Sequence, residues 1–443
     1  MACFIERPRT TCALGGAIAV INALPGVTLV NHTAIGCGGN LSGAITGGGG
    51  NMGDGIYSGS SMPSSAIGEK EVVFGGVDRL KEEITTALEV IDAELFVVAT
   101  GCMTEMIGDD VEAAVRAVEN PRKPIINIST PSFKGDAYYG YEVILDAIFN
   151  KFVPVSEEKD PKLVNLFGVI PGFDPFFRGD LSEIKRLLEK LGLKVNTFFT
   201  PDQTFEKNVL GAAKASYNIL LSPVWGTTVV KNFEDVHGTP YYQTNLPVGA
   251  IQTAEFLRGV AEKLEIPSEL VEKVIAEEEE VYYSDFIRAA DTITNRQWYF
   301  YSATVTNSNY AIPIGRFLYE ELGWHQEDTF VTDILKPVKK RALTKAFEEA
   351  NFASKLTLDT DTQRISRTLN KTRPRNRGQR YWDNNTPFFI LGSSLDRATA
   401  AEVGGQALPI SFPLSSRLIT THAYAGYKGA LLLVEDIFST LLG

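Results

Sequence analysis

The chain has 443 residues, with 42 lysines and arginines against 54 aspartates and glutamates, a formal net charge of −12, and 44% hydrophobic residues. At about 100–200 residues per domain, this length predicts two to four domains with cores of their own and excludes a mini-protein held by disulfides. Basic residues are scattered apart from a cluster at 371–380, so the concentrated basic face of a primary nucleic-acid binder is not expected.

The first eleven residues contain Glu6, Arg7, Pro8 and Arg9 and no apolar run of the signal-peptide type. No stretch reaches the roughly 18–20 uninterrupted apolar residues of a membrane span. The expected location is the cytoplasm, where thiols stay reduced.

Pattern divides the chain into three α/β units with mostly parallel sheets, expected at 1–155, 156–295 and 296–443. In the first, a small-residue helix over 13–23 precedes strands at 26–31 (GVTLVN), 95–100 (LFVVAT) and 124–128, with helices over 77–88 and 109–118. In the second, strands at 163–170 and 193–199 flank an amphipathic helix over 180–191, a length that fits one βαβ element. A strand at 219–221 and a helix over 248–263 come next. A charged stretch over 267–290, with EEEE at 277–280, reads as a solvated connecting helix. The third unit has strands at 298–303, 329–335 and 387–391, and helices over 314–322 and 429–442. Three Rossmann-like domains in series are the expected architecture, with ligand sites outside the carboxyl ends of the strands.

Against that rule the cysteines stand out. Cys12 precedes the first helix, Cys37 follows the strand at 26–31, and Cys102 follows the strand at 95–100; the 341 residues after Cys102 contain no cysteine. Three thiolates meeting at one sheet edge suit an iron-sulfur cluster or zinc. Structural zinc favours cysteines two to four residues apart, whereas these are separated by 25 and 65 positions, so zinc is the weaker choice. Glycines at 36, 38, 39 and 101 would let the main chain approach a bulky cluster, and their amides would face its sulfides. Buried structural thiols are the alternative. Cys3, near the terminus, is read as an unassigned thiol. The glycine run at 47–50 lacks the lysine of a phosphate loop, and no GxxxxGK[ST] motif occurs.

Several motifs, in order, resemble component 1 proteins of the nitrogenase superfamily: HTAIGCGG at 32–39, EKEVVFGGVDRL at 69–80, GCMTEMIGDDV at 101–111 and TPSFKGD at 130–136. The resemblance continues through IPGFDPFFRGDLSEIKRLLEKLG at 170–192 and FPLSSRLITTHAYAGYKGALLLVEDI at 412–437, and so covers essentially the whole chain. With no cysteine after Cys102, the ligand pair that holds the catalytic cofactor in α-type subunits is missing. The chain therefore resembles a β-type subunit. The resemblance implies that Cys12, Cys37 and Cys102 ligate half of an [8Fe-7S] P-cluster. An α-type subunit in an α2β2 heterotetramer would supply the other half and carry the catalytic iron-sulfur cofactor. An ATP-dependent iron-sulfur reductase protein would deliver the electrons.

Asp136 matches the position of a serine near the oxidised cluster in many β subunits, which makes it a candidate fourth ligand, with a surface loop residue as the alternative. His422 is read as a packing or partner-contact residue, and His32 as structural or as a hydrogen-bonding neighbour of the cluster. HTAIGCGG replaces the GQGC-like sequence of nitrogenase β subunits, SSAIGEKEVVFGG replaces their SMTED-type sequence, and GAITGGGGNMGDG at 43–55 is unusually glycine-rich. These departures point away from dinitrogen, and the chain resembles most closely the methylthio-alkane reductases. An alternative nitrogenase and a cofactor-assembly scaffold are the other readings.

Overall fold

Three parallel sheets organise the chain, whose computed structural model describes residues 5–51, 62–119, 121–372 and 388–443. The first has the order β1-β2-β3, from Val27–His32, Leu95–Thr100 and Ile125–Ser129. The second has the order β5-β4-β6-β7, from Asp160–Phe167 (β4), Lys194–Asn196 (β5), Ala215–Leu221 (β6) and Tyr241–Thr244 (β7). The third has the order β10-β9-β8-β11-β12, from Tyr301–Thr306 (β8), His325–Val331 (β9), Lys355–Leu358 (β10), Phe388–Gly392 (β11) and Gln406–Pro409 (β12). Helices alternate with the strands, as parallel crossovers require. Among the described residues no helix is long and apolar enough to cross a membrane. Cys3 and most of the basic cluster at 371–380 lie outside the described residues, as does part of the glycine-rich stretch at 43–55.

One continuous apolar core runs through all three sheets, from α1 (Ala13–Ala23) to the C-terminal helix Gly426–Leu442. A smaller core on the outer face of the first sheet packs Val30, Phe96 and Val98 against Leu80 and Ile84 of α4 (Val77–Val90). Helix α1 is apolar on every side and buried over most of its length, which is why its sequence carries no polar stripe.

The largest departure from expectation is α2 (Ile35–Gly48), a helix in a glycine-rich stretch for which the sequence pattern predicts none. It is preceded in the chain by β1. Gly48 lies against Phe412, where a Cβ would approach the ring to 2.4 Å, whereas Cβ atoms at Gly39, Gly43 and Gly47 would meet nothing within 4 Å. Helix α5 (Cys102–Ile107) likewise begins directly at Cys102, ahead of the helix expected over 109–118. Strand β9 begins at His325, four residues before its predicted start, because buried Gln326 and Asp328 break its apolar pattern; Gln326 accepts a hydrogen bond from Ser302 Oγ at 2.7 Å.

The segment leading to Cys12 is anchored by Arg9, only 1% exposed. Its guanidinium makes a two-point contact with Asp396 at 2.6 and 2.7 Å and also donates to Ser393 Oγ at 2.9 Å. Asp396→Ala would strand a buried cation. Urea unfolding is expected to show a loss of about 3–5 kcal/mol, and an unchanged midpoint would refute the anchoring role.

Candidate metal centre

The register of the first sheet puts the carboxyl ends of its strands side by side: His32 of β1 opposes Thr100 of β2, which opposes Ser129 of β3. Each strand then delivers a polar or thiol side chain to that edge. Cys37 lies in the first turn of α2, Cys102 opens α5, and Ser132 follows β3. Cys12 joins from the side through an antiparallel bridge with Asp136, in which Ala13 N–H donates to Gly135 O at 3.2 Å and Ala137 N–H to Thr11 O at 2.9 Å.

The three cysteines are free and half-buried. Burial pushes the Cys12 thiol above its ordinary pKa, and the charges of Cys102 and Cys37 push in the same direction, whereas the amides of Gly15 and Leu14 oppose them. Among the described residues no three His, Cys, Asp or Glu side chains form a group suited to one metal ion. Soft thiolates are the donors that iron-sulfur groups take.

Ser132 carries no signal in the sequence, yet it touches the site most directly. Its backbone N–H donates to Cys102 Sγ at 3.1 Å, and its Oγ lies 3.0 Å from the same sulfur. Next to it, Glu105 of α5 accepts from Thr100 and Ser129 hydroxyls at 2.5 Å and from Lys134 Nζ at 3.2 Å. Despite burial, these bonds hold the Glu105 carboxyl below its usual pKa. The TPSFK segment is thereby fixed to α5 by both a thiol and a charge.

Asp136 is 8% exposed and caps α7 (Ala137–Leu145), its Oδ1 accepting from Tyr139 N–H at 3.3 Å while Oδ2 is buried without a hydrogen-bond partner. Burial, reinforced by Asp333, raises its pKa to about 7. The surface-loop alternative is therefore wrong: Asp136 is a buried cap beside Cys12.

His32 is fully buried, with Nδ1 2.9 Å from Ser65 Oγ and Nε2 2.9 Å from Asp109 Oδ2. Burial lowers its pKa, and Asp109 also takes the Gly76 N–H at 2.9 Å, so this histidine ties β1 to the start of α4. His422 Nε2 is 2.9 Å from Asp436 Oδ2, which Arg417 and Tyr424 also engage at 2.6 Å. Both histidines are occupied by protein partners.

The cysteine edge is rimmed by apolar side chains facing outward. Ile35, Met106 and Phe133 are 77%, 78% and 62% exposed, and Val73 and Phe74 of the short helix α3 (Glu69–Phe74) are 72% and 82% exposed. Exposed apolar groups gathered at one site mark a contact surface.

The profile of the family described as nitrogenase component 1 type oxidoreductase matches residues 12–442. The chain belongs to this family. Among curated relatives it is 25% identical over 64% of its length to the nitrogenase molybdenum-iron protein alpha chain of Methanosarcina barkeri, covering 54% of that protein. It is 29% identical over 65% of its length to the nitrogenase iron-molybdenum cofactor biosynthesis protein NifE of Methanococcus maripaludis, covering 57%. It is also 27% identical over 48% of its length to the molybdenum-iron protein beta chain of Bradyrhizobium diazoefficiens, covering 46%. The chain thus spans about half the length of these relatives. The solved structure of nitrogenase Cp1 at pH 6.5 superposes with a TM-score of 0.79 and 19% identity, covering 100% of this chain and 94% of that one. That likeness establishes the nitrogenase component 1 fold, with its α/β units and parallel sheets.

Proposed function

We propose that this nitrogenase component 1 chain is a β-type subunit that holds half of an interfacial P-cluster through Cys12, Cys37 and Cys102. The observation that carries the reading is the combination of three half-exposed thiols on one sheet edge with an apolar rim. A second subunit docked on the rim would cover such an edge. An α-type partner in an α2β2 assembly would supply the remaining thiols and the catalytic cofactor, consistent with the lack of cysteine after Cys102. An ATP-dependent iron-sulfur reductase would feed the complex in the cytoplasm. We take 1–155, 156–295 and 296–443 as its domains.

When bound, the cluster supplies one-electron relay. The chain's own contribution is to hold and tune it. Ser132 donates to Cys102, the amides of Gly15 and Leu14 face Cys12, and docking on the apolar rim excludes water; hydrogen bonds and solvent exposure set the potential of such clusters. Two oxygens would be candidate ligands of an oxidised cluster: Asp136, at the position the resemblance assigns, and Ser132, which lies against the Cys102 sulfur. The contact favours Ser132. Ser132→Ala is expected to shift the oxidised-state paramagnetic resonance signal and the midpoint potential, with Asp136→Asn leaving both unchanged; the reverse pattern would return the role to Asp136.

The proposed reaction of the whole complex is reductive carbon-sulfur cleavage of a methylthio-alkane: two electrons and two protons convert R–S–CH3 to R–H and methanethiol. Anaerobic turnover of the purified complex should release methanethiol and no ammonia from dinitrogen. The similarity to NifE favours a second reading, a cofactor-assembly scaffold. Transfer of a finished cofactor to an acceptor protein, without turnover, would establish that reading instead.

A further inference from the structure

We propose that a cavity of about 480 Å³ at the carboxyl end of β7 binds a neutral, polyhydroxylated ligand of sugar size. The loop from Thr244 to Pro247 and α10 (Gly249–Lys263) line one side of it, and α12 (Ser308–Glu320) and α13 (Pro337–Glu349) line the other. Ligands of parallel sheets collect in such places, outside the carboxyl end of a strand. None of the lining residues belongs to the cysteine edge or its apolar rim.

The fixed feature of the cavity is Gln252, only 5% exposed. Its Nε2 donates to Val248 O and Pro313 O, both at 2.9 Å, so the amide is held in one orientation and Oε1 is committed to accepting. That oxygen takes no donor from the protein, and it is not one of the enclosed orphan atoms; its open surface faces the cavity that Gln252 lines. Thr244 and Asn245, both half-buried, add a hydroxyl and an amide to the lining.

The charges of the lining cancel in pairs. Arg316 donates to both oxygens of Glu255 at 2.9 and 3.1 Å and to Glu320 at 3.0 Å, and Lys345 lies 3.6 Å from Glu349. No lining cation or anion is left over to hold an ion of either sign. Leu246 and Phe256 are each 2% exposed, so they offer little apolar area to a hydrophobic ligand. Donors and acceptors without spare charge or broad apolar walls call for hydroxyl groups, which both give and take hydrogen bonds. This assignment uses no cysteine and does not rest on the cluster reading.

The test is saturation-transfer magnetic resonance of the purified complex, followed by titration. The probes are glucose, galactose and mannose, with glucosamine adding a cation and glucose 6-phosphate adding an anion. At least one neutral hexose is expected to bind saturably and about fivefold more tightly than either charged sugar. Asn245→Ala should weaken that binding about fivefold. Ala342→Trp, at an exposed position of α13, fills the cavity without entering the core and should abolish binding. No saturable binding of any hexose, tighter binding of a charged sugar than of every hexose, or full affinity in Ala342→Trp would overturn the proposal. Iron content of the same samples reports separately on the cluster.

Discussion

Cys37→Ala, expressed with the partner subunit and purified without oxygen, is expected to lose most cluster iron and to lower turnover by more than about 100-fold. Changes to groups that merely support metal ligands cost 10–100-fold, and a ligand itself is worth more. Cys12→Ala and Cys102→Ala should behave alike, because all three thiols gather at the carboxyl edge of one three-stranded sheet. Cys3→Ala, at a position the sequence reads as a bystander, should leave iron unchanged. Iron quantification and paramagnetic resonance make the comparison. Wild-type iron in Cys37→Ala would remove that residue from the ligand set.

The largest expected effect on stability lies where α1 crosses α7. A Cβ at Gly140 would sit 1.9 Å from Ala13 O, and one at Gly16 1.9 Å from Ala137 O. Neither obstacle is a flexible side chain, so relief requires the helices to separate. That movement would also part Cys12 from Asp136, since these residues cap the two helices and pair with each other. Gly140→Val is expected to cost more than about 4 kcal/mol, in the range reserved for severe overpacking and lost networks. The measurement is the urea midpoint together with soluble yield. Gly39→Ala is the control: its Cβ meets nothing within 4 Å, and a helical alanine recovers about 0.5–1 kcal/mol relative to glycine. Equal stability of the Gly140 variant and wild type would refute the close crossing.

Strand β2 was legible to the residue because a buried parallel strand is a short continuous apolar run, and α1 because small apolar residues fill it from end to end. Helix α2 was not legible. Its six glycines carry no helical propensity, and what they are small for is a tertiary contact at Gly48 and open space along the outer face. Strand β9 was hidden by Gln326 and Asp328, polar residues whose burial depends on hydrogen bonds formed only after folding.

For the site, the order of strands and cysteines predicted the shared edge, because in a parallel sheet the residues just past each strand collect at the same end. Which oxygen touches a thiol was beyond that logic. Ser132 and Asp136 lie four residues apart in one segment, and only the turn after β3 decides that Ser132 faces Cys102 while Asp136 caps α7. The apolar rim was likewise scattered among Ile35, Phe74, Met106 and Phe133, residues distant in sequence that the topology brings to one face.

Whether this chain holds half of a cluster completed by another subunit can be decided by an experimental map of the anaerobic complex, with scattering measured at the iron absorption edge. Iron density is expected bonded to the sulfurs of Cys12, Cys37 and Cys102 and continuing to cysteines of the partner. Free thiols at these three positions, or a metal site closed within this chain alone, would contradict the shared cluster.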